Sequence, residues 1–254
     1  MVYKLLSWFV VFVLLIVLSG AVYAAPKKTF SIPPHAKKIS PTLYDLGQKN
    51  INGRLAQGYA FIHLKDPSDK SAFAKGQGGR KTATSCYGFL AKDARWKVNE
   101  PYILEATNSS GLSPDYIASA SAVSMLTWDN QVSFGLFGSR IDGVVDGADT
   151  TAPDGKNEIY FASISDPGTI AVTIIWGYFS GPTFARELLE YDMVFDDADF
   201  RWGDAATDPT VMDFQNIATH ELGHAAGMAD LYTSSCTQET MYGYATEGET
   251  SKRD

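Results

Sequence analysis

The feature that most constrains this sequence is a pair of histidines four residues apart, His220 and His224, inside a helical pattern running from Asp213 to Gly227. On a helix, positions i and i+4 share one face about a turn apart, so both imidazoles can reach one metal ion. Asp213 is placed to cap the helix and Gly227 to end it. Glu221 follows the first histidine, where a carboxylate can take a proton from a water that zinc has acidified to a pKa of about 7. Catalytic zinc takes three protein ligands and leaves one position open. The chain has only 4 histidines, of which His35 and His63 lie in the N-terminal part and none follows His224. The third ligand is therefore expected to be a carboxylate. Asp230 is placed for this, three residues after a glycine that can turn the chain back under the metal. Its rivals, Glu239, Glu247 and Glu249, need a second helix, and no convincing helical pattern holds them.

The stretch His-Glu-x-x-His-x-x-Gly-x-x-Asp followed by Met241 resembles the metzincin zinc endopeptidases, in which a methionine turn lies beneath the metal. Asp230, Tyr232, Cys236 and Met241 recur in the order seen in the snapalysin family, whose third ligand is Asp. The wider context, including Thr240-Met241-Tyr242 and Glu190 to Phe195, is more like the matrixins. The resemblance implies His220, His224 and Asp230 as zinc ligands, Glu221 as general base and Met241 as the residue under the zinc. It also implies Tyr232 as a donor to the developing oxyanion; a half-buried packing tyrosine is the alternative reading. Two features depart from the matrixin pattern: the sequence ends at Asp254, about where a further helix would begin, and no prosegment cysteine motif is present. A basic N-terminal inhibitor would have to act by covering the cleft.

Residues 1–24 read as a signal peptide: Lys4, an apolar run from Leu5 to Leu18, then Val22-Tyr23-Ala24 before an expected cut ahead of Ala25. An uncleaved anchor is the alternative. The expectation is a secreted protein with no membrane association after cleavage. Charge divides the rest: residues 25–85 hold 11 Lys or Arg against 3 acids, a net +8, and residues 86–254 hold 9 against 26, a net −17. The basic, Pro- and Gly-rich part reads as a prosegment or linker that is either solvated or docked on the acidic domain. The acidic domain argues against nucleic acid as a partner, because phosphate neutralisation needs clustered cations.

A metallopeptidase domain is expected over 86–254, of α+β class, with a twisted sheet, the active-site helix and the methionine turn. Tyr102 to Ala106, Glu158 to Ala162, Thr169 to Trp176 and Tyr191 to Phe195 read as strands, and Ser113 to Trp128 as a helix. Glu190 to Phe195 is the expected edge strand against which an extended peptide substrate would lie. Cys86 and Cys236, the only 2 cysteines, are expected to form a disulfide; zinc ligation by Cys86 is the rival. Acids gather at Asp142, Asp146, Asp149 and Asp154 and at Asp196, Asp197 and Asp199. Such loops hold structural Ca2+ in some proteins and are merely solvated in others. Asn108-Ser109-Ser110 is a glycosylation sequon. The expected activity is hydrolysis of protein or peptide substrates. A zinc hydrolase of another bond and a non-catalytic zinc-containing binding protein are the alternatives.

Overall fold

The computed structural model describes residues 27–66 and 86–254; the signal-peptide expectation and the Gly-rich run at 75–80 lie outside them. Among the described residues the fold is mixed, with a mostly sheet core and two α-helices. In chain order the elements are β1 (Thr29–Phe30), β2 (Lys37–Ser40), β3 (Leu43–Ile51), β4 (Arg54–Lys65), β5 (Glu100–Leu104), α1 (Pro114–Asp129), β6 (Phe137–Asp142), β7 (Asn157–Ile164), β8 (Thr169–Tyr178), β9 (Glu187–Asp196), β10 (Trp202–Gly203), β11 (Met212–Asp213), α2 (Phe214–Ala225) and β12 (Tyr244–Ala245). The main sheet runs β2-β3-β4-β8-β9-β7-β5-β6, with β1 added to β7 and β12 to β4. Strands β6, β5, β7 and β9 are mutually parallel, and β8, β4 and β3 alternate in direction beyond them.

Two sequence expectations change here. Glu190 to Phe195 falls in β9, which is flanked by β7 and β8 and is not an edge. A strand apolar on both faces looks alike in sequence whether its edges are paired or free. Nor is the N-terminal part a linker throughout, because residues 29–65 contribute four strands to the same sheet. The hairpin between β3 and β4 turns at Asn52-Gly53, both with positive φ (51° and 82°), the combination that favours this dipeptide in two-residue turns.

The faces of the sheet follow the two-residue period of each strand. In β4, Phe61 joins the core beneath the helices while Ala60 and Ile62 join the opposite one; in β8, Ala171 and Ile175 face the helices, and Val172, Ile174 and Trp176 face away. Helix α1 starts at Ser113, whose side chain accepts the Tyr116 amide at 3.2 Å. It packs on α2, where Trp128 Nε1 donates to the Thr219 carbonyl at 2.8 Å and Thr219 shares a 2.9 Å hydrogen bond with Ser124. The disulfide Cys86–Cys236 ties the start of the acidic part to the chain beyond α2. Among the described residues no helix is long and apolar enough to cross a membrane.

Candidate metal centre

Helix α2 lies under the sheet and is buried along most of its length. Its N-terminus is held by Asp213, which accepts the Asn216 amide at 2.7 Å and is paired with Arg253. At its other end Gly227 takes φ +94°, and the chain reverses. One turn apart on the helix, His220 and His224 each give Nδ1 to a backbone carbonyl: His220 to Thr240 at 2.8 Å, His224 to Met228 at 3.1 Å. A carbonyl only accepts, so each Nδ1 carries the proton and each Nε2 presents a lone pair.

The reversal after Gly227 delivers Asp230. Its Oδ1 lies 3.1 Å from His220 Nε2 and 3.3 Å from His224 Nε2. Two donors each about 2.0–2.1 Å from a shared tetrahedral ion stand about 3.3–3.4 Å apart, so the three atoms fit a zinc-sized ion. His220 Nε2 and Asp230 Oδ1 are buried without a hydrogen-bond partner, which is costly unless a cation takes them up. Burial brings the His220 imidazole down to about 4. Burial would raise Asp230, but His224 and His220 hold its carboxyl far below the usual carboxylate range. Burial also opposes the charge on His224, yet the Asp230 carboxylate outweighs it and the imidazole rises.

Met241 and Trp128 lie against Gly223 of α2 and leave no room there for a Cβ. Tyr232 Oη donates to Asp230 Oδ2 at 2.8 Å and is hydrogen-bonded to Thr42. Burial raises this phenol, and the Asp230 charge adds to the effect. The rivals for the third position are elsewhere: Glu247 pairs with Lys65 at 2.7 Å, Glu249 pairs with Lys252, and Glu239 is in none of the metal-ligating clusters among the described residues.

His63 enters this site from β4, a residue that its place in the basic N-terminal part gave no reason to select. Its Nδ1 is 2.9 Å from Glu221 Oε1, and its ring centroid is 3.9 Å from that of His220. Thr173 of β8 donates to the other Glu221 oxygen at 2.5 Å. Burial raises the Glu221 carboxyl, opposed by His220 and His224, and burial with the nearby Lys252 charge takes His63 down to about 3. Phe61 stacks on His224 with centroids 4.0 Å apart. The Asn52-Gly53 dipeptide, read as a hairpin, is the signal that would have carried His63 into the sheet.

The acidic loops divide. Asp142 pairs with Arg140 at 2.9 Å, and Asp146 with Lys156. Asp196 accepts the Ile164 amide at 2.9 Å, and Asp197 accepts the amide and hydroxyl of Ser109, both at 2.7 Å. Asp154 also pairs with Lys156 at 2.7 Å, and it converges with Asp149 and Glu190 of β9, whose ligand atoms all lie within 4.8 Å of one another. Glu190 Oε1 is buried without a partner; burial first, then Asp192, raises this carboxyl to about 9. Asn108 of the sequon gives its side-chain amide to the Ala106 and Leu112 carbonyls at 3.0 and 2.9 Å.

Fold and site together define a mixed α/β protein with a buried His-His-Asp centre suited to a divalent transition metal. No protein-family model and no curated protein matches the sequence. Among solved structures the chain is similar to metalloproteinase-II from Bacteroides fragilis, at 14% identity and TM-score 0.33, covering 84% of this chain and 73% of that one. The functional reading therefore rests on the geometry of the site itself.

Proposed function

We propose that this protein is a secreted zinc-dependent endopeptidase of metzincin type, with His220, His224 and Asp230 as ligands and Glu221 as general base. The observation that carries the reading is the convergence of two fixed imidazole lone pairs and an orphaned carboxylate oxygen, with a glutamate next to the first ligand. Zinc held there supplies Lewis acidity, lowering the pKa of water to about 7 and polarising a peptide carbonyl. The Glu221 carboxylate, whose oxygens also meet His63 Nδ1 and Thr173 Oγ1, would accept the proton of the attacking water and pass it to the departing amine nitrogen. The Nδ1 bonds of His220 and His224 to backbone carbonyls fix the tautomer that leaves each Nε2 lone pair for the metal. Tyr232 orients Asp230; the oxyanion role implied by the family resemblance requires its hydroxyl to leave that carboxylate. Residues 1–24 serve as the export signal and protein or peptide chains as substrates, with the snapalysin-like third ligand set within a matrixin-like domain.

The test is digestion of a peptide library, read by mass spectrometry, with and without a chelator, before and after proteolytic cutting between residues 66 and 86. Chelator-sensitive cleavage that disappears in Glu221→Ala is the expected result. Cleavage that survives either treatment would sink the mechanism, and bound zinc without turnover in any form would favour a binding protein.

We further propose a structural Ca2+ at Asp149, Asp154 and Glu190, where it would displace the Lys156 amine from Asp154 and take up the buried, unpartnered Glu190 Oε1. Hard oxygen donors of this kind suit Ca2+. Calcium is expected to raise the melting temperature of the chelator-treated protein, and Glu190→Gln to abolish most of the rise.

A further inference from the structure

Glu221 follows the first proposed ligand on α2, and one step along an α-helix turns a side chain about 100° from its neighbour. Its side chain has several rotatable bonds, and the helix alone does not select among their combinations. A base must nonetheless be held within a fraction of an ångström of its working position, since a misplacement of about 1 Å costs roughly 100-fold in rate. The sheet above the helix supplies the hold.

Across the β4–β8 ladder, Phe61 lies opposite Thr173 and His63 opposite Ala171. Thr173 and His63 are therefore diagonal neighbours on one face, close enough for both to meet a third group. That face is turned to α2, where Phe61 and Ala171 join the core beneath the helices. Thr173 Oγ1 donates to Glu221 Oε2 at 2.5 Å, and His63 Nδ1 lies 2.9 Å from Glu221 Oε1. An ionised carboxylate only accepts, so in the form that acts as base it is His63 Nδ1 that carries the proton. All three side chains are buried.

The hold is at two points. A carboxylate bonded through one oxygen can still swing about that bond, whereas donors on both oxygens fix its plane as well as its position. Each oxygen offers two lone-pair sites, so one donor apiece leaves room to accept a proton. Hydrogen bonds to the ionised form also offset part of the cost of burying its charge. Both donors sit on strands that the fold fixes, since β8 is flanked by β4 and β9, and β4 by β3 and β8.

We infer that Thr173 and His63 are the positioning residues of the general base, together fixing the Glu221 carboxylate in one orientation beside the proposed ligands. This rests on the peptidase reading above. Neither residue has to bind the metal or move a proton; each acts through Glu221.

The experiment uses the zinc-loaded full chain, in whichever form cleaves in the library digestion, and separates kcat from KM on one cleaved peptide. Thr173→Val is nearly isosteric and removes the hydroxyl, while Thr173→Ser keeps one. His63→Phe keeps a ring and removes the donor, while His63→Asn puts an amide N–H near the place of Nδ1. In Thr173→Val and in His63→Phe, kcat is expected to fall about 10–100-fold, a part of the roughly 100–10,000-fold that a positioned base contributes. KM and bound zinc per chain should hold, because the base acts in the transition state and not in binding. Thr173→Ser and His63→Asn should recover most of the loss. A kcat unchanged in Thr173→Val, or in a folded His63→Phe, overturns the inference. So does a loss that Thr173→Ser fails to recover, or one that comes with raised KM or lost zinc, because those are the marks of packing. A wild-type chain with no turnover in any form would instead overturn the peptidase reading, and the inference with it.

Discussion

At the scale of single residues the site depends on groups that hold the ligands as much as on the ligands. Tyr232 is the clearest case, since its hydroxyl donates to Asp230 Oδ2 and its ring packs edge-on against Tyr244, centroids 5.4 Å apart. Tyr232→Phe keeps the ring and removes the donor. Zinc affinity measured by chelator competition is expected to fall about 10–100-fold, the usual cost of losing an outer-shell partner. An affinity that holds while kcat collapses would assign the hydroxyl to the oxyanion instead. The residues of the proposed site were legible in the sequence because their chemistry is tied to local spacing: His220, Glu221 and His224 on one helix, then Asp230 behind a glycine turn. His63 was not, because it is 157 positions from His220 in the chain, and only strand pairing closes that distance.

At the scale of elements, α2 is the best-determined piece of the molecule, with its cap at Asp213 and its exit at Gly227 where local chemistry places them. What the sequence did not reveal is how tightly the helix is approached between its histidines. A Cβ on Gly223 would meet Met241 Sδ at 2.2 Å and Trp128 at 2.6 Å. Gly223→Ala is expected to cost about 1–3 kcal/mol through overpacking, despite the better helix propensity of alanine, and to lower the urea midpoint. A neutral or stabilising effect would mean that Met241 is free to move away. The strands show the complementary failure. The patterns of β7, β8 and β9 were readable as strands, but their order was not, and so the edge was assigned to the wrong one.

At the scale of the whole molecule, the disulfide Cys86–Cys236 spans a separation of 150 residues and joins the chain before β5 to the loop that follows Asp230. Closing so long a loop in the unfolded chain is worth up to about 5 kcal/mol in the chain-entropy account. Reduction is expected to lower the melting temperature by several degrees and, because Cys236 follows Asp230 and Tyr232 in the same loop, to weaken zinc binding; a reduced protein with both unchanged would make the bridge incidental. Sequence alone brought forward the proposed metal-ligand set, because ligand type and helical period are local properties carried by a few residues. It also determined the class, the helix ends and the cysteine pair. Only the tertiary structure decided that the basic segment is part of the sheet, that β9 is interior and that His63 meets Glu221. Each of those depends on strand pairing between distant segments, for which a two-residue period specifies the face but not the partner.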